Sequence, residues 1–145
     1  MRTYPFLLAI AAAGLVLSGC GDETAAAPKP AASKEPISGV LKLAALPSGS
    51  GAFHYDVKHL EAKAGLVKIE LNNGDAFPHN VRIQSGPKCC FKAGSKDVGG
   101  TNTTNGGTAI AATVRLKPGR YVFLCSLGGH YDGDTGHMRG TLVVG

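Results

Sequence analysis

Missing from this chain are the signatures that most often announce an enzyme. No Gly-x-Gly-x-x-Gly or Gly-x-Ser-x-Gly run occurs, so the sequence offers no phosphate-cradling loop and no nucleophile elbow. No carboxylates are paired for acid–base work. Asp132 and Asp134 lie in a Gly-rich stretch, yet too few oxygen donors follow at usable spacing for a calcium loop. No basic segment interleaved with aromatics appears, which argues against nucleic acid as a partner. The balance of 15 Lys and Arg against 10 Asp and Glu, a net charge of +5, bears on association with acidic partners or anionic lipid rather than on fold. No convincing amphipathic helix is present, and the N-terminal apolar run is too short to cross a bilayer comfortably.

That run, Pro5 to Leu17, follows Arg2 and ends in Leu17-Ser18-Gly19-Cys20. It reads as the apolar region of an export signal, and the final tetrad resembles the cleavage box of bacterial lipoproteins. The expected organisation is a signal over 1–19, then an Ala/Pro-rich tether over 20–38 that begins at a lipidated Cys20, then one domain over 39–145. Acyl chains on Cys20 would hold the protein at a membrane without spanning it. Pro-rich segments are extended, so the tether would let the domain stand up to ~50 Å from the membrane. The predicted location is the bacterial cell envelope, lipid-anchored and facing the periplasm or the cell exterior.

Beyond the tether, short alternating runs dominate: Val40 to Leu46, Phe53 to Leu60, Leu66 to Leu71, His79 to Gln84, Thr108 to Leu116, Arg120 to Leu124 and Gly140 to Val144. Gly, Asn and Pro punctuate them, as in Asn72-Asn73-Gly74-Asp75 and Lys117-Pro118-Gly119, which predicts an all-β, antiparallel-dominated sandwich. Ala93 to Gly107 is polar, Gly-rich and without period, and is expected to be a long surface loop. In His79 to Gln84 the parity sends His79, Val81 and Ile83 inward and Arg82 and Gln84 to the wet face.

The chemistry concentrates near the C-terminus. Cys125, His130, His137 and Met138 lie within one loop between two strand-like runs, and His79 adds an inward-facing imidazole that needs a polar or metal partner. Taken singly, a cysteine is a small hydrophobe and a methionine fills gaps. A soft thiolate, two imidazoles and a thioether together are the donor set of a copper electron-transfer site, whereas a hard metal would call for carboxylates. Of the two tail histidines, His130 follows Cys125 closely enough for a short loop to bring both side chains to one metal. His137 neighbours Met138 and should face the opposite way on an extended strand. His54 and His59 read as surface strand residues. With Cys20 allotted to lipid and Cys125 to metal, Cys89 and Cys90 remain, as a strained vicinal disulfide, two free thiols or a secondary soft-metal site.

Pro118 to Cys125, then Gly129-His130, then Met138 to Val144 resembles the C-terminal signature of the cupredoxins, the blue copper proteins that include plastocyanin, azurin and auracyanin; Pro78-His79-Asn80 is similar to that family's first-histidine motif. The resemblance implies a single-domain Greek-key β-sandwich holding one type 1 copper ion. It matches His79, Cys125 and His130 to the equatorial ligands, Met138 to the axial one, and Asn80 to the residue that ties the ligand loops together. The segment between His130 and Met138 is longer than is usual in the family. The implied function is one-electron transfer through Cu(I)/Cu(II) by a monomer, not an enzyme. Phe77, Pro78, Leu127 and Tyr131 flank the ligands and, if exposed together, would form a small apolar patch for transient docking with redox partners. The competing reading is a copper carrier or buffer that uses Cys89 and Cys90 as a second soft site.

Overall fold

Alternation of apolar and polar residues builds two sheets whose inner faces meet. In the computed structural model, which describes residues 35–49, 51–86, 90–131 and 137–145, the strands are β1 (Ile37–Leu46), β2 (His54–Tyr55), β3 (His59–Ala62), β4 (Gly65–Asn73), β5 (Arg82–Ser85), β6 (Lys96–Gly100), β7 (Thr108–Leu116), β8 (Gly119–Leu124) and β9 (Arg139–Val144). One sheet has the order β2-β1-β4-β7 and the other β3-β9-β8-β5-β6. Most pairings are antiparallel, but β1 runs parallel to β4 and β3 parallel to β9. The described residues form the all-β sandwich that the sequence predicts, with no helix.

Leu41, Leu43 and Ala45 of β1 and Val67, Ile69 and Leu71 of β4 alternate into the core, where they meet Ile83, Phe123 and Leu142 of the facing sheet. Full burial of such a side chain contributes about 1.5–3 kcal/mol. These contacts make the sandwich a rigid support for the loops at one end.

Three local expectations are corrected. Phe53 to Leu60 is not one strand: β2 pairs with β1 and β3 with β9, so the chain changes sheets between them. The bend is held by Asp56, whose carboxylate accepts the Ala44 N–H at 2.7 Å. Ala93 to Gly107 is not wholly loop, because β6 forms in it as an edge strand on β5. Backbone pairing needs no side-chain alternation, and Gly100 suits the close approach: its φ is +153°, and a Cβ there would stand 2.0 Å from the Val81 carbonyl oxygen. Gln84, assigned to the wet face, is 2% exposed, since its Oε1 accepts the Phe91 N–H at 3.0 Å from a segment lying over β5.

Candidate metal centre

His79 precedes β5 and is held by its own backbone. Its N–H donates to the Thr104 carbonyl at 3.0 Å, and its carbonyl accepts the Thr104 N–H at 2.8 Å. Cys125 follows the last residue of β8, and Met138 precedes the first of β9. Between them the chain turns at Leu127, whose carbonyl accepts the His130 N–H at 3.1 Å, with Gly129 at φ +79°. The Cys125 N–H then donates to the Met138 carbonyl at 3.0 Å and the Met138 N–H to the His130 carbonyl at 2.9 Å. Three of the residues singled out in the sequence are thus laced together by main-chain bonds before any side chain is considered.

The side chains converge. Cys125 Sγ lies 3.9 Å from His79 Nδ1 and 3.6 Å from His130 Nδ1, and the two Nδ1 atoms are 3.1 Å apart. The point in their plane equidistant from all three is about 2.1 Å from each, the circumradius of that triangle. Metal–imidazole bonds are ~2.0–2.1 Å and metal–thiolate bonds ~2.3 Å, so a single ion fits this triangle without rearrangement. His79, Cys125 and Met138 are fully buried and His130 is half-buried. Among the described residues no carboxylate belongs to the cluster. One thiolate with two imidazoles in a trigonal array is the donor set of a type 1 copper site.

Burial raises the Cys125 thiol above its usual range, opposed by hydrogen bonds from the Leu127 and Asn80 main chain. Burial also lowers His130, and the neighbouring His79 lowers it further, while Asp75 pulls the other way. The net effect favours a neutral imidazole with a lone pair to give.

Asn80 bridges the two ligand loops. Its Oδ1 accepts the Ser126 N–H at 2.8 Å, and its Nδ2 donates to Ser126 Oγ at 2.9 Å and Thr103 Oγ1 at 3.1 Å. The Tyr55 hydroxyl donates to the Asn80 carbonyl from below.

Two neighbours of the ligands escaped the sequence reading. Phe53 stacks on the His130 ring with centroids 4.2 Å apart and planes at 21°, and meets His79 and Phe77 edge-on. Asp75 places Oδ2 3.0 Å from His79 Nε2. Burial alone would raise the Asp75 carboxyl, but hydrogen bonds from His79, Ala76 and Ser48 bring it below its ordinary value. Its position in a turn, four residues before His79, was the available signal.

The remaining histidines stand apart. His137 is exposed, His54 Nδ1 lies 2.9 Å from the Ala52 carbonyl and His59 Nδ1 2.7 Å from Thr141 Oγ1. Phe77 and Pro78 are exposed, and Leu127 and Tyr131 half-buried. Cys90 is buried and disulfide-bonded, while Cys125 is free. For Cys90 this removes both the free-thiol and the soft-metal options. Cys20, Cys89, Asp132 and Asp134 lie outside the described residues.

Residues 44–145 match the model of a family described as copper binding proteins, plastocyanin/azurin family. No curated protein sequence matches significantly. Among solved structures the chain is similar to auracyanin from the photosynthetic bacterium Roseiflexus castenholzii, at 21% identity over 76% of this chain and 99% of the other, with a TM-score of 0.59. Auracyanin A from Chloroflexus aurantiacus gives 18% identity, 73% and 98% coverage and a TM-score of 0.57. An azurin from Methylomonas sp. strain J gives 13%, 75% and 99%, and 0.55. At these identities the structural likeness speaks for the fold.

Proposed function

Since the chain belongs to the plastocyanin/azurin family of copper-binding proteins, we propose that it is a one-electron carrier, not an enzyme, tethered by lipid outside the cytoplasm of a bacterial cell. The observation that carries this reading is the triangle of Cys125 Sγ, His79 Nδ1 and His130 Nδ1, already spaced for one ion. Copper bound there supplies a Cu(I)/Cu(II) couple. The protein's part is to keep the donors still: the Thr104 bonds fix His79, the Asn80–Ser126 bonds fix the loop after Cys125, and the Cys125–Met138 main-chain bond closes the far side. Met138, fully buried beside both loops, is assigned as the weak axial ligand. Held in this way the donors need little reorganisation between oxidation states, which suits fast exchange of an electron.

His130 is the half-buried ligand, lying beneath Phe53 and near the exposed Phe77 and Pro78. That exposure supports this face as the docking surface for redox proteins met by a monomer in small, transient contacts. The test is the visible spectrum of the protein loaded with Cu(II), followed by a redox titration. An intense thiolate-to-copper band with reversible one-electron cycling is expected. Binding of Cu(I) alone, with ready release, would refute electron transfer and favour a carrier. That competing reading drew on thiolates at Cys89 and Cys90, and a disulfide-bonded Cys90 has none to offer.

The anchor is tested separately. Cys20→Ser is expected to leave the protein unprocessed or released in soluble form, read by membrane fractionation and by the mass of the N-terminal peptide. Wild-type protein with an unmodified Cys20, wholly soluble after export, would refute the lipid anchor and leave the copper centre as it stands.

A further inference from the structure

Among the described residues Asp75 is the one buried acid, at 4% exposure. Burying a carboxylate is costly unless every lone pair is met, and a whole turn is arranged to meet these. Oδ1 accepts the Ala76 N–H at 2.7 Å and the Ser48 hydroxyl at 3.2 Å, which leaves Oδ2 to face His79 Nε2 at 3.0 Å. The turn itself is pinned by Asn73, whose Oδ1 accepts the Asp75 N–H at 3.1 Å and whose Nδ2 donates to the Phe77 carbonyl at 2.8 Å. Gly106 lies so close that a Cβ there would be 2.4 Å from the Asp75 carbonyl oxygen. A carboxylate held from this many sides has one direction left to act in, and that direction is the imidazole of a metal ligand.

An ionised carboxylate only accepts hydrogen bonds, so the Oδ2 contact calls for a proton on His79 Nε2, and in the neutral ring that leaves the lone pair at Nδ1. Nδ1 is the atom that faces Cys125 and His130. We propose that Asp75 is a positioning residue for the copper centre: it selects the metal-binding tautomer of His79 and, through that ring, favours the cupric over the cuprous state. The second effect follows from charge, because an anion behind one imidazole stabilises the ion of higher charge more. Removing such a partner from a metal-binding histidine costs ~10–100-fold in affinity. If that loss falls on Cu(II), the reduction potential rises by about 60–120 mV, at 59 mV per tenfold for a one-electron couple.

The inference rests on the copper reading above, and the two fail differently. The experiment measures the reduction potentials of copper-loaded wild type, Asp75→Asn and Asp75→Ala, together with the ring 15N shifts of His79 in the metal-free wild-type protein. The wild-type ring is expected as the Nε2–H tautomer, and both variants are expected to shift the Cu(II)/Cu(I) affinity ratio at least tenfold toward Cu(I). If Asp75→Ala fails to fold, the nearly isosteric Asp75→Asn and the wild-type spectrum still decide. A wild-type His79 protonated at Nδ1, or a coloured Asp75→Asn protein whose affinity ratio moves less than twofold, overturns the role of Asp75 alone. A wild type that forms no coloured centre refutes the copper reading, and the potential shift with it.

Discussion

His130→Ala is expected to abolish the visible copper band, whereas His137→Ala leaves it. The His130 ring supplies one corner of the donor triangle, 3.6 Å from Cys125 Sγ and 3.1 Å from His79 Nδ1. Without it a single imidazole and the thiolate remain among the equatorial donors, and the stacking surface of Phe53 loses its partner. Loss of a mere hydrogen-bonding group behind a ligand costs ~10–100-fold in metal affinity, so loss of the ligand itself should exceed that. The hydrogen bonds of His137 among the described residues run through its backbone: its N–H donates to the Phe53 carbonyl at 3.2 Å, and its carbonyl accepts from Lys58. Alanine keeps both bonds. The check is an absorption spectrum and a copper titration of each variant. Colour that survives His130→Ala and disappears in His137→Ala would overturn the assignment of the second histidine while sparing the sandwich and Cys125.

Phe123→Ala is expected to be the most damaging of the simple core truncations, destabilising the fold by about 3–5 kcal/mol. Phe123 is fully buried on β8, two residues before Cys125, and its ring meets Tyr55 with centroids 5.8 Å apart. The opposite strand makes room for it through Gly140, where a Cβ would stand 2.3 Å from Phe123 Cζ. With glycine directly opposite, no β9 side chain stands across from the ring to fill the void, so the cavity persists and its cost is added to the lost burial. Urea denaturation of the metal-free protein should show a lower midpoint with an unchanged slope. Copper should restore part of the loss, since a ligand that binds only the folded state stabilises it. A destabilisation below about 1 kcal/mol would mean that the site repacks and that the core around the copper loop is softer than its burial suggests.

Much of the centre is legible in the sequence. Cys125 and Met138 fell at strand ends with inward parity, and both are fully buried where that parity sends them. Adjacent residues of an extended segment face opposite ways, which separates buried Met138 from exposed His137. Parity failed where its premise of one wet face failed: Gln84 points away from the core and is still buried, because the segment carrying Cys90 and Phe91 covers that side of β5. β6 was missed for a different reason. A glycine-rich edge strand is held by backbone pairing, and backbone atoms are the same in every sequence.

Donor chemistry is local, and the sequence by itself determined it: which residues carry soft and borderline donors, that their combination suits copper, and that short alternating strands must form a sandwich to bury their apolar faces. Only the tertiary structure decided how closely those donors meet and what lies behind them. Phe53 and His130 belong to distant segments, and Asp75 reaches His79 across a turn whose path depends on Asn73, Ser48 and Gly106. Such contacts follow from how two sheets pack and where their connecting loops land, and no periodicity along the chain encodes a distance between loops. The type of each ligand is therefore written in the sequence, while the spacing that makes three of them one site comes from the packed sandwich beneath.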